Sequence, residues 1–334
     1  MLKLKKIYIS FIFLISIIFI PFCSNVYAFE ANYSVEAIIP DNQIDKDVSY
    51  FSLKVEPNQS QNLNIVVHNV GVEEANIILE PHNASTNDNG VIIYNEAVPV
   101  DASLKIPFTS ILSEKQMVHL KPSESKTVSF KLKMPEEKFD GMILGGFRIY
   151  EQEDQKDKTN ESLQIKNKVE YEISVKLIET DKNINPNINL LDVFAGLNNY
   201  KTSIFAKLQN DKPTVIENLS VEAKIFKEGS NKILYKKSKE GMKMAPNSNF
   251  RFPIDLGDSR IEPGKYVAKI SAKNHDYDWK FEKTFEIKER EAKEFNEEAI
   301  NIDDSKEFDN SVYLLVFLMV VIVLLIILLV FRRK

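Results

Sequence analysis

The residue types that do chemistry are present in this chain, but not at the spacings that chemistry needs. His68, His82, His119 and His275 are scattered, and none belongs to a His-Glu-x-x-His pair that would set two imidazoles on one helix face around zinc. The single cysteine, Cys23, lies near the amino terminus, so a chain processed beyond it has no thiol nucleophile and no thiolate ligand. Serines are frequent, yet no Gly-x-Ser-x-Gly elbow presents one as a nucleophile. The 48 acidic residues make carboxylate pairs easy to imagine, but a glycosidase is defined by the distance between two carboxylates across a cleft, which sequence does not supply. Asn87-Asp88-Asn89-Gly90 faintly resembles a calcium loop but lacks the alternating ligands and the terminal glutamate. Gly145-Gly146 sits between Met142-Ile143-Leu144 and Phe147-Arg148-Ile149 without the context of a phosphate loop, and is read as a close backbone approach or a bulge. The reading is therefore no catalytic residue, no metal site, no cofactor and no enzyme, with wall hydrolysis by a carboxylate pair as a remote alternative.

Two short stretches could bind rather than react. Asp41, Asn42 and Gln43 follow Pro40 at the end of the first expected strand, where they either hydrogen-bond a sugar or peptide or form an Asx-type turn. Asn247, Ser248 and Asn249 follow Met244-Ala245-Pro246, where they either contact a partner or fix a corner before Phe250-Arg251-Phe252-Pro253. In both places the structural reading leads.

The elements that would position these residues are strands. Short alternating runs recur, among them Asn62 to Val67, Thr127 to Leu132, Val221 to Phe226 and Tyr266 to Ile270, with turns every ten residues or so. Proline-centred turns at Pro57, Pro122 and Pro263 each precede such a run, because a fixed φ starts the strand in a defined register. Asn89-Gly90 separates Ile77-Ile78-Leu79 from Val91-Ile92-Ile93 as a hairpin turn. The expected fold is all-β: two tandem immunoglobulin-like antiparallel β-sandwich domains, an acidic stalk and one C-terminal transmembrane helix. Trp279 is expected in the core of the second sandwich. The polar stretch 153–162 reads as a charged loop, and Tyr171 to Leu177 either returns to finish the first sheet or opens the second domain. The boundary therefore falls somewhere within 152–187.

The ends set the compartment. Lys3, Lys5 and Lys6 precede an apolar run from Ile7 to Ile20, and Val26-Tyr27-Ala28 offers small residues for cleavage, so 1–28 reads as a signal peptide. That run is shorter than the roughly 20 residues a bilayer core requires. Residues 312–331 form an unbroken apolar stretch of spanning length, and Arg332-Arg333-Lys334 behind it is a cytoplasmic basic tail. Lys288 to Ser311 is acidic and reads as a stalk, in part helical, its last part, 301–311, juxtamembrane. Removing the six basic residues of the two ends from the 43 in the chain leaves 37 against 48 acidic ones, a net of −11. That balance disfavours nucleic acid and simple electrostatic attachment to anionic wall polymers. An exported region of this size without cysteine points to a Gram-positive bacterium or an archaeon.

Several stretches resemble one family. Tyr33 to Gln43, Ser49-Tyr50-Phe51, Thr86 to Ile92 and Asp140 to Phe147 resemble the N-terminal domain of the WxL-interacting protein family. Ala206 to Asn210, Met242 to Phe250, Gly264-Lys265-Tyr266 and Trp279 resemble its second domain. The resemblance implies a peptidoglycan-binding domain over 32–152, with 168–178 as an optional last strand, and a host-binding domain over 163–300. It implies a membrane-held partner of secreted WxL-domain surface proteins that binds peptidoglycan and extends to host extracellular matrix proteins. A docking scaffold for WxL proteins that touches no glycan is the alternative.

Overall fold

The computed structural model describes residues 31–95, 99–152 and 168–300, together with Met319. The expected signal peptide, charged loop and stalk segment 301–311, the apolar run 312–331 and the basic tail lie outside the described residues, Met319 excepted. No helix among the described residues is long and apolar enough to cross a membrane. The described chain is all-β, built as several sheets with one short α-helix.

Ten strands come first: β1 (Tyr33–Ile38), β2 (Phe51–Lys54), β3 (Ser60–Asn69), β4 (Ala75–Asn83), β5 (Ser85–Thr86), β6 (Ile92–Ile93), β7 (Gln116–Leu120), β8 (Ser125–Lys133), β9 (Met142–Glu151) and β10 (Glu170–Ile178). They form a three-stranded sheet, β1-β3-β8, and a five-stranded sheet, β2-β10-β9-β4-β7, with β5 and β6 as a separate hairpin. Strand β10 pairs antiparallel with β9 from Glu170↔Tyr150 to Ile178↔Met142, and parallel with β2. Residues 170–178 thus complete this first unit. Alternation decides which face is buried: Leu63, Ile65 and Val67 of β3 turn inward against Ile77 and Leu79 of β4 and Phe147 and Ile149 of β9. Each such side chain taken fully out of water is worth about 1.5–3 kcal/mol, and this repeated term closes the two sheets on each other.

Seven strands follow: β11 (Ile188–Asn198), β12 (Lys201–Asn210), β13 (Ile216–Lys227), β14 (Ile233–Met244), β15 (Ser248–Asp255), β16 (Gly264–Lys273) and β17 (Asp278–Ile287). They form the sheets β11-β12-β15 and β14-β13-β16-β17 around a second core that contains Val221, Ala223, Ile225, Phe250, Phe252 and Ile270. Trp279 is not in that core. It is half-buried at the margin of the sheet, packed on the core from the side and stacked on Tyr277 at 5.6 Å between ring centres.

Two of the three expected proline turns are turns, while no turn forms at Pro263, and the Asn-Gly turn joins β5 to β6 and not Ile77-Ile78-Leu79, which pairs with β7 and β9. Gln59 N donates to Glu56 O at 3.1 Å across Pro57-Asn58, and Glu124 N to Lys121 O at 3.0 Å across Pro122-Ser123. Asn58 and Ser123 take φ of 60° and 62°, as the third residue of a type II turn does. Gly145 and Gly146 do permit close approach. A Cβ at Gly145 would overlap the Phe108 ring, and one at Gly146 would lie 2.7 Å from the Tyr94 ring.

The acidic segment after β17 differs in part from a free stalk. Residues Glu289–Glu298 form α1, whose first turn carries Glu289 and Glu291 where the helix dipole favours anions. The helix docks on the second unit: Ala292 is buried, Phe295 packs on the core, and the Asn296 side chain bonds both Ile261 N and Ile261 O, at 2.8 and 2.9 Å. Two apolar residues one turn apart gave it a face to bury.

Candidate functional site

The two units meet along a junction made by the β5–β6 hairpin, the loop after β6 and the start of β9 on one side, and by β14, β15 and the corner between them on the other. Thr86 of β5 is fully buried there. Its Oγ1 accepts from Ala245 N at 2.9 Å and lies 2.7 Å from Ser248 Oγ. Ser248 uses its only hydroxyl hydrogen on Ala245 O at 2.8 Å, so the Thr86 hydroxyl must be the donor between the two. Beyond it the Asn87–Gly90 turn, closed by Gly90 N to Asn87 O at 2.8 Å, lies against β14 and β15. Lys243 N donates to Gly90 O at 2.8 Å. Gly90 has φ +68°, and a Cβ there would come within 2.5 Å of the Met242 side chain. Asp88 takes a two-pronged bond from Arg251, Nη2 at 2.6 Å and Nε at 3.1 Å, while accepting Arg251 N at 3.0 Å. The same guanidinium lies 5.1 Å above the Phe205 ring. At the start of β9, Met142 N donates to Pro213 O at 2.8 Å.

Asp101 is the second fixed point. Its residue is 6 % exposed, and its carboxylate accepts Ser103 N at 2.9 Å, Ser103 Oγ at 2.7 Å, Gln209 Nε2 at 2.8 Å and Asn249 Nδ2. Burial pushes its pKa up, but the hydrogen bonds from Ser103, Asn249 and Gln209 outweigh burial and hold it below the ordinary carboxylate value. Asn247 Nδ2 reaches Ser103 O at 3.0 Å and Asp211 O at 3.2 Å.

These contacts border an open cleft of about 420 Å³. The end of β4, the loop Pro99 to Leu104 and Thr109 wall it on the side of the first unit, and Asn247, Ser248 and Asn249 on the side of the second. Asn83 and Thr109 brace one wall, with Thr109 N donating to Asn83 Oδ1 at 3.2 Å and Asn83 Nδ2 to Thr109 Oγ1 at 3.3 Å. Chemically this is a site of amides, hydroxyls and small apolar side chains with the buried His82 imidazole and the engaged Asp101 carboxylate, suited to holding a polar ligand by shape and hydrogen bonds. Among the described residues no group of three or more His, Cys, Asp or Glu is placed to hold a metal ion.

Of the six sequence candidates, the structure brings Asn247, Ser248 and Asn249 to this cleft and places Asp41, Asn42 and Gln43 elsewhere. Asn42 Nδ2 bonds Lys54 O at 2.8 Å. Gln43, 6 % exposed, bonds Tyr50 O and Asp45 O and accepts Ser52 N. Their side chains pin the loop to β2, as a turn does, and Asp41 projects from it exposed. Sequence reasoning missed Thr86, Asp101, Ser103 and Gln209 as junction residues. Thr86 and Gln209 did lie within stretches that carried the resemblance, whereas Asp101 and Ser103 carried no signal.

At the sequence level no characterised protein matches this chain. Solved structures that are similar include the class 5 fimbriae chaperone CfaA, 14% identical, covering 70% of this chain and 95% of that one with a TM-score of 0.27. The E. coli chaperone DraB is 15% identical and covers 77% of this chain and 98% of that one, also at 0.27. At these values neither bears on function. Two family profiles do match: the WxL Interacting Protein peptidoglycan binding domain over residues 33–151, and the WxL Interacting Protein host binding domain over 160–297. Together they span most of the chain, and the chain belongs to the WxL-interacting protein family.

Proposed function

We propose that this protein is a non-enzymatic tether of the cell surface. It is exported by residues 1–28 and held in the membrane by the apolar run 312–331, with Arg332-Arg333-Lys334 inside. Its first unit binds peptidoglycan, and its second binds extracellular proteins, WxL-domain proteins and host matrix proteins among them. The observation that carries this reading is the pair of family matches, one to a peptidoglycan binding domain and one to a host binding domain, in that order along one chain. The basic-apolar amino terminus and the apolar run with its basic flank support the topology. The acidic balance of the exterior supports recognition by specific groups rather than by charge. Co-sedimentation of the detergent-solubilised full chain with washed peptidoglycan tests it. The chain is expected in the pellet, and a chain left in the supernatant while still retaining WxL-domain proteins on a column would instead make it a docking scaffold.

A further inference from the structure

The junction cleft has a polarity that selects its occupant. Its walls hold no lysine or arginine among the described residues, and its carboxylate, Asp101, is already engaged by Ser103, Gln209 and Asn249. Among the described residues an anionic ligand would meet no lysine or arginine there, and a cationic one no free carboxylate. Two buried lining atoms, His82 Nε2 and Ser85 Oγ, have no hydrogen-bond partner among the described residues, and three further residues give the cleft a defined pattern. Asn247 and Asn249 have their amide nitrogens committed to Ser103, Asp211 and Asp101, which fixes the amide orientation. Their Oδ1 atoms accept no hydrogen bond among the described residues, and both residues are half-buried in the wall. On the other unit, Thr109 Oγ1 accepts from Asn83 and keeps its own hydrogen to donate. Acceptors from one unit and a donor from the other, bordered by Pro81, Pro99, Val100 and Leu104, complement a secondary amide that carries a methyl group. The volume of about 420 Å³ lies within the range of pockets that hold small organic ligands.

We infer that the cleft seats the acetamido group and ring of an N-acetylated sugar, so that glycan recognition uses both units at once. This rests on the wall-binding reading and adds that residues of the host-binding match, Asn247 and Asn249, belong to the glycan site.

The test uses the detergent-solubilised full chain and two variants. Val100→Trp fills the cleft from a residue 61% exposed without touching the junction bonds, and Thr109→Val removes the donor while keeping the side-chain shape. Chitotetraose is expected to bind, with cellotetraose, which has hydroxyls in place of acetamido groups, at least tenfold weaker. Both variants should weaken chitotetraose tenfold or more with unchanged melting temperatures. Equal binding of the two oligosaccharides, binding of an acetylated alanine dipeptide amide in preference to chitotetraose, or unimpaired binding by V100W overturns the inference. Wild type and V100W sedimenting equally with peptidoglycan would leave wall binding in place and move it off this cleft. A wild-type chain that neither sediments nor binds chitotetraose ends both readings.

Discussion

At the scale of single residues, the junction depends on buried polar groups that bond one another, Thr86 with Ala245 and Ser248, and Asp101 with Ser103, Gln209 and Asn249. Removing one partner there leaves the other unsatisfied, which costs more than the hydrogen bond itself gained. Thr86→Val keeps the shape but strands the buried Ala245 N–H, and about 1–3 kcal/mol of lost stability in urea unfolding is expected. Asp101→Asn puts an amide donor where three residues already donate, and about 2 kcal/mol is expected, or roughly 4–8 °C in melting temperature. The pH dependence has a definite sign. The folded-state pKa of Asp101 is depressed, so its contribution is present above the ordinary carboxylate value of 3.8 and is lost as the pH falls through the lower folded value. The melting-temperature gap between wild type and D101N should therefore be constant near neutrality and narrow below about pH 4. A gap that widens in acid would contradict the assignment. Sequence showed Asn247, Ser248 and Asn249 as polar residues at a corner but not what they face. Asp101 was invisible because its partners, Gln209 and Asn249, lie more than a hundred residues away.

At the scale of elements, local chemistry was legible and docking was not. The Asn-Gly turn, the Pro turns and the alternating strands follow from short-range rules, and so were readable from Asn87 to Gly90 or from Lys121 to Glu124. That the first of these turns is pressed against Met242 is a tertiary fact. Gly90→Ala must strain a φ of +68° and displace Met242, so about 1–3 kcal/mol and faster protease cleavage between the units are expected. Arg251→Ala should cost less, at most about 1 kcal/mol, because the pair with Asp88 is half-exposed and screened by solvent. The docking of helix α1 was hidden for a related reason: a partly helical stalk was expected there, its mean polarity is that of a stalk, and only Ala292 and Phe295 mark the face that docks. Asn296→Ala removes both bonds to Ile261 and should lower stability by about 1–2 kcal/mol. Hydrogen exchange of 289–298 should rise in that variant while the sheets stay protected.

At the scale of the whole molecule, the junction joins two sandwiches whose family matches name different ligands. The stretches Thr86 to Ile92, Asp140 to Phe147 and Met242 to Phe250, which carried the resemblance, all contribute to that junction. The all-β class was legible because alternation is dense along the chain, whereas the assignment of 170–178 to the first unit required knowing that it pairs with β9 and β2. The central claim is that one unit meets the wall and the other meets protein, both outside the cell. Photo-crosslinking on intact cells tests it most directly, with a reactive group placed in turn at Val100 of the first unit and at exposed Tyr200 of the second. The account predicts peptidoglycan fragments attached at Val100 and secreted or host proteins attached at Tyr200. Cytoplasmic proteins captured at either position, or wall material at Tyr200 with proteins at Val100, would contradict it.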